Sequence, residues 1–237
     1  LTIARRMPYC SMVYRIGVND IEPNHWVAWV FDLHGCFAKA KTHDEAVASV
    51  PETIKKYFRW LKSHNHPASA PKDFDVLLAE DIKSPTLEDG YIANALFEDD
   101  RRPLTTEDAD EIRQLLVYTR KDLHALIDEI PPDRMDRAIE GEVQTSVRGI
   151  LNHIATAEWW YFDRIDMAFD RKEFTEDVPA RLDKSRDYTI SMLPALVGVE
   201  QVVEKRSEKW SARKVMRRTL WHEIAHTSQI RRYLGLK

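Results

Sequence analysis

Residues 221–230 read WHEIAHTSQI, and within them HEIAH places two histidines four residues apart with a glutamate beside the first. Side chains at i and i+4 project from one face of a helix, so His222 and His226 can hold one ion. A neighbouring glutamate could then polarise its water, as in the H-E-x-x-H zinc peptidases. A catalytic zinc usually takes three protein ligands, and peptidases with this motif draw the third from a downstream Glu, His or Asp. Between His226 and Lys237 there is none of these, so the third ligand is sought upstream.

The helix carrying the motif has a seam of Val215, Thr219, His222, His226, Gln229 or Ile230, and Tyr233. Its steps alternate four and three, which turns both histidines toward a packed interior. Upstream, Ile150, His153, Ala157 and Trp160 share one helical face, so His153 also points inward. Three inward histidines from two helices can converge on one ion, and the expected metal site is His153, His222 and His226. A lone interior histidine is more often a hydrogen-bonded core residue. Two unpartnered imidazoles on one apolar seam, however, cost about a few kcal/mol. Three neutral nitrogens with open positions suit Zn, Ni, Fe or Co, and such an ion lowers the pKa of a bound water or thiol. Glu223 lies about 100 degrees around the helix from His222; a partner behind the metal ligands, a general base and a surface residue are its three readings, and such a residue is most often the last.

Four amphipathic helices are expected to carry this site. Thr105 or Thr106 caps the first, whose seam runs Ile112, Leu115, Leu116, Thr119, Leu123, Leu126, Ile127 and Ile130 until Pro131 and Pro132 stop it. Ser146 caps the second, a third covers roughly 184–206 with a bend at Pro194 and Gly198, and Ser211 caps the fourth, which Gly235 ends. This is the pattern of an all-α, up-and-down-type four-helix bundle over residues 101–237. Residues 1–100 read differently. HWVAWVFDLHGCFAKAKT is strand, turn, strand, with an earlier strand at SMVYRIGV and a later one at FDVLLAEDI. Thr42 and Glu45 form a capping box for a helix over about 43–62 with Pro51 inside it, which makes a small α+β domain.

The net charge of −4 gives no general attraction to nucleic acid, and no apolar run approaches the roughly 20 residues of a membrane helix. With no signal-peptide pattern, a cytoplasmic protein is expected. Cys10 and Cys36 are too few for a disulfide framework and read as buried thiols. His64 and His66 sit in a polar linker, and Lys55, Lys56, Arg59 and Lys62 read as a solvated helix face.

The stretches TSVRGILNHIATAEWWYFDRI and VMRRTLWHEIAHTSQIRRYLG resemble the DinB-like four-helix bundles, which include the YfiT-type metal hydrolases and the bacillithiol and mycothiol S-transferases. In that family one His on helix two and two on the last helix bind a divalent metal, matching His153, His222 and His226. The resemblance implies Zn or Ni, possible use of a low-molecular-weight thiol, and a homodimer. Where many members continue with Arg-Gly-Gln-Ile, this chain has Thr227, Ser228, Gln229 and Ile230. The stretch WVAWVFDLHGCFAKAKTHDEAVASVPETIKKYF resembles the HicB-like antitoxin core, with His34 and Ala40 replacing the usual Pro and Gly. That resemblance implies a protein partner or self-association through the N-terminal domain. The leading expectation is a metal-dependent S-transferase or hydrolase of small molecules. The rivals are a non-enzymatic, antitoxin-like partner-binding protein with the bundle as scaffold or sensor, and a zinc peptidase. Trp159, Trp160 and Tyr161 are candidate pocket residues.

Overall fold

In the computed structural model, described for residues 12–87, 90–141 and 143–236, β-branched and aromatic residues build a four-stranded sheet. Its strands are β1 (Met12–Glu22), β2 (His25–Val30), β3 (Phe37–Ala40) and β4 (Phe74–Ile82), in the order β3-β2-β1-β4. β1 and β2 pair antiparallel with Ile16 opposite Val30 and Val18 opposite Ala28, and β4 runs parallel to β1. Gly35, with φ of 75°, makes the turn between β2 and β3 that the sequence suggests. α1 (His43–Ser63) is capped by Thr42, whose side chain accepts from the Glu45 N–H, and it keeps Pro51 within it. Its buried stripe is Ala46, Val50, Ile54, Tyr57, Phe58 and Leu61, the apolar spacing read from the sequence apart from exposed or half-buried Val47. Cys36 is a buried free thiol that burial pushes far up in pKa; Cys10 lies outside the described residues.

The chain divides into two compact units between Lys83 and Ser84, ahead of the boundary near residue 100 that composition suggests. The reason is a set of contacts between residues 91–104 and the last helix. Phe97 is fully buried, Lys214 Nζ donates to the Asn94 carbonyl at 2.7 Å, and Arg217 holds the Asp100 carboxylate through Nε and Nη2 at 2.8 and 2.7 Å.

The second unit is built on α2 (Thr106–Asp128), a short α3 (Pro132–Met135), α4 (Val147–Asp163), α5 (Val178–Leu196) and α6 (Ala212–Leu234). Thr105 forms a full capping box with Asp108, while Ser146 and Ser211 accept from the backbone N–H groups of Gly149 and Lys214. Each such cap stabilises its helix by about 1 kcal/mol. Gly235, with φ of 71°, closes α6 in the left-handed conformation. The third long helix is displaced from its expected span of 184–206. It starts at an Asp177 cap with Pro179 in its first turn and ends at Leu196. Gly198 then turns the chain into the hairpin of β5 (Val203–Lys205) and β6 (Glu208–Trp210). α2 packs on α5 and α6, and α4 packs on α5 and α6. The ring therefore runs α2, α5, α4, α6, which sets α4 directly against α6. No helix among the described residues is long and apolar enough to cross a membrane.

Candidate metal centre

The packing of α4 on α6 brings His153 against His222 and His226. The Nε2 atom of His222 lies 3.0 Å from Nε2 of His153 and 3.1 Å from Nε2 of His226, and the potential ligand atoms of all three residues lie within 4.8 Å of one another. Nitrogens about 2.0–2.1 Å from a shared ion are separated by about 2.9 Å at octahedral angles and about 3.4 Å at tetrahedral ones. The two measured separations fall between these. Nδ1 of His226 donates to the Gln229 side-chain oxygen at 2.6 Å, which places its proton on Nδ1 and leaves the Nε2 lone pair facing the cluster. Burial pushes the His153 imidazole below its usual pKa. Burial does the same more strongly to His222, aided by His226, His153 and the positive charge of Arg218. Both rings are therefore neutral donors at neutral pH. The donor set fits a divalent transition ion, and among the described residues it is the one cluster of this kind.

Glu223 corrects the expectation of a surface residue. It is 1% exposed, and its Oε2 accepts from Arg120 Nε and Nη2 at 3.1 and 2.8 Å and from Arg186 Nη2 at 2.8 Å. Glu158 meets the same two guanidinium groups: Arg186 Nε at 2.8 Å, Arg186 Nη2 at 3.2 Å and Arg120 Nη2 at 3.2 Å. One charged residue from each long helix thus enters the core, two cations balancing two anions. Burial alone would raise the Glu223 pKa, but the charges of Arg186 and Arg120 outweigh it and lower the pKa. A carboxylate held by two arginines is a poor proton acceptor, so Glu223 does not play the base of the peptidase motif.

Sequence reasoning missed this quartet, although a signal exists. Arg120 follows Leu116 by four residues and precedes Leu123 by three, while Arg186 follows Leu182 by four, so both charges sit on apolar seams. Of the candidate aromatic residues, Tyr161 and Trp160 pack on buried Trp210 at centroid distances of 5.6 and 5.4 Å, and Tyr161 lies 5.9 Å from the His222 ring. Trp159 instead donates to the Phe169 carbonyl. His66 accepts from the Ala68 N–H, and His64 meets the Trp60 ring edge to face.

Over 62 residues this chain is 36% identical to the UPF0150 protein Ta0767 of Thermoplasma acidophilum, a match spanning 26% of this chain and 87% of that protein. The chain belongs to the UPF0150 family. The UPF0150 match falls in the N-terminal region, where the HicB-like resemblance lies. No protein-family model matches the chain. Among solved structures, the UPF0150 chain is similar to TT2238, a four-helix bundle protein, at 20% identity and a TM-score of 0.43 over 52% of this chain and 98% of that one. It is also similar to YfiT of Bacillus subtilis, described as a probable metal-dependent hydrolase with an unusual four-helix bundle topology. That match has 17% identity and a TM-score of 0.45 over 61% of this chain and 95% of YfiT.

Proposed function

We propose that His153, His222 and His226 hold one divalent transition metal, Zn or Ni, and that the bundle uses it as a hydrolase or S-transferase of small molecules. The observation that carries this reading is the convergence of three imidazole Nε2 atoms from α4 and α6, with the Nδ1 of His226 turned to Gln229. An ion held by three neutral nitrogens stays cationic and lowers the pKa of a coordinated water or low-molecular-weight thiol toward neutrality. The protein's own part is to orient the rings, keep His153 and His222 unprotonated by burial, and leave the site approachable from the half-exposed sides of His153 and His226. Glu158 and Glu223 are bound to Arg120 and Arg186, so neither is a free carboxylate base.

Elemental mass spectrometry on untagged full-length chain tests the reading. About one equivalent of Zn or Ni in the parent, lost in His222→Ala, His226→Ala, supports it, and screening for ester or amide hydrolysis and for thiol transfer then separates the two reactions. No uptake by the parent after incubation with Zn and Ni overturns it.

A second reading concerns the N-terminal domain. Met12 and Val13 on β1 and Leu77 and Leu78 on β4 are exposed, and they lie on neighbouring strands of the sheet. Among the described residues β4 is also an edge strand, and an edge strand presents backbone hydrogen-bonding groups to a further chain. This favours contact with a protein partner or a second copy. Light scattering on the full chain and on Leu77→Glu reads self-association directly; identical masses for the two at every concentration would remove it.

A further inference from the structure

His43 opens α1 directly after the Thr42 cap, and its imidazole has a carboxylate on each side. Nδ1 lies 2.8 Å from Asp44 Oδ1, and Nε2, closed off from solvent, lies 3.1 Å from Asp81 Oδ2 near the end of β4. A neutral imidazole carries one N–H and one lone pair, whereas an ionised carboxylate only accepts. Both contacts are favourable together only when the ring is protonated. The hydrogen bond to Asp44 holds the ring above its ordinary pKa, burial works against it, and the charges of Asp81 and Asp44 add to the rise. A cation in the first turn of a helix is opposed by the helix dipole, so the charged form depends on those carboxylates, with Glu45 also in that turn. Trp26 of β2 meets the ring edge to face at 5.3 Å. Beyond it, Lys83 and Asp20 of β1 pair with each other, and Lys83 Nζ lies 5.2 Å from the centroid of the Trp26 ring.

Asp81 sits opposite Val18 and Ile82 opposite Asn19, the last rungs by which β4 holds β1. Among the described residues β4 is the edge of the sheet, so its end hangs on one ladder and on what α1 adds. We infer that His43 is a proton-operated clasp: the protonated ring ties the end of β4 to the start of α1, and loss of the proton lets that end loosen. The folded ring binds its proton more tightly than the unfolded chain does. The clasp is therefore complete below the ordinary histidine value of 6.5 and is lost as pH rises through the higher folded value. Asp44 is almost fully exposed and Asp81 about half exposed, which keeps the effect to about threefold in the opening equilibrium.

Amide hydrogen exchange on the full-length chain, read by NMR at pH 5.5 and 8.5 beside a titration of the His43 ring, tests this. Protection factors, which remove the intrinsic pH dependence of exchange, are compared for residues 80–82 in the parent, His43→Gln and Asp81→Asn. The expected result is about threefold lower protection at pH 8.5 in the parent, following the His43 titration, and no such fall in either variant. His43 should also titrate at a higher pH in the parent than in Asp81→Asn. If His43→Gln fails to fold, Asp81→Asn carries both comparisons. Protection in the parent that ignores the His43 titration, or that falls equally in the variants, overturns the inference. So does a His43 midpoint unmoved by Asp81→Asn.

Discussion

Two polar clusters share α6, one half-buried and one buried, and adjacent residues divide between them: His222 belongs to the histidine cluster and Glu223 to the charged quartet. The quartet of Arg120, Glu158, Arg186 and Glu223 is composed of opposites, each carboxylate meeting both guanidinium groups. The trio of His153, His222 and His226 is composed of likes, three nitrogen donors aimed at one point. A balanced set of opposite charges needs nothing further and reads as structural; a set of like donors is completed by an ion from outside. Proximity and burial alone do not separate a site from a strut. The signs of the groups brought together do.

The sharpest way to break this comparison is to remove one member of each cluster in metal-free protein. Glu223→Ala leaves Arg120 and Arg186 facing one carboxylate in the core, and urea denaturation should show a loss of about 3–5 kcal/mol. His222→Ala should cost clearly less, because a neutral ring is removed and no charge is stranded. Equal losses would mean that the trio is as structural as the quartet. Next in size is the response to metal. At a free Zn concentration near 100 times its dissociation constant, the parent should gain about 2.7 kcal/mol of unfolding free energy, and His222→Ala should gain none. Gln229→Ala sharpens the picture further: loss of the acceptor for His226 Nδ1 should weaken Zn binding about 10–100-fold in a competition titration, with metal-free stability little changed.

The smallest effect, counted per pH unit, concerns a third buried polar group on α6. Lys214 is fully buried, donates to the Asn94 and Lys209 carbonyls at 2.7 Å, and lies 4.1 Å from the centroid of the Trp210 ring. Burial, with Arg217 adding to it, pushes its pKa from 10.5 to about 7. Between those values the unfolded chain binds a proton that the folded chain has released. Unfolding free energy should therefore rise with pH across that window, by at most about 1.4 kcal/mol per pH unit, and the burial penalty is felt in full below it. Urea denaturation at pH 7, 8 and 9 should show the slope, and Lys214→Met should flatten it.

The trio was legible in the sequence because its signals are local. His222 and His226 lie four apart on a seam with serine and glycine at its ends, and His153 shares a face with Ile150, Ala157 and Trp160 behind the Ser146 cap. The quartet was missed because its signal is fainter: Arg120 and Arg186 sit on apolar seams, but the carboxylates that balance them come from two other helices far along the chain. The span of α5 was misplaced for a related reason. Asp177 and Pro179 form a proper helix start, but Arg181, Asp183 and Lys184 dilute the apolar period there. The stretch 203–206 reads as the end of a helix, but Gly198 and the two-residue turn at Arg206 and Ser207, both at positive φ, fold 203–210 into a hairpin.

The most direct measurement of the central claim is X-ray absorption on the full-length chain loaded with one equivalent of Zn. The account predicts a first shell dominated by nitrogen at about 2.0–2.1 Å, with the multiple scattering of about three imidazole rings falling away in His153→Ala as in His226→Ala. A first shell of oxygen or sulfur, or a spectrum unchanged by removing His153, would contradict it.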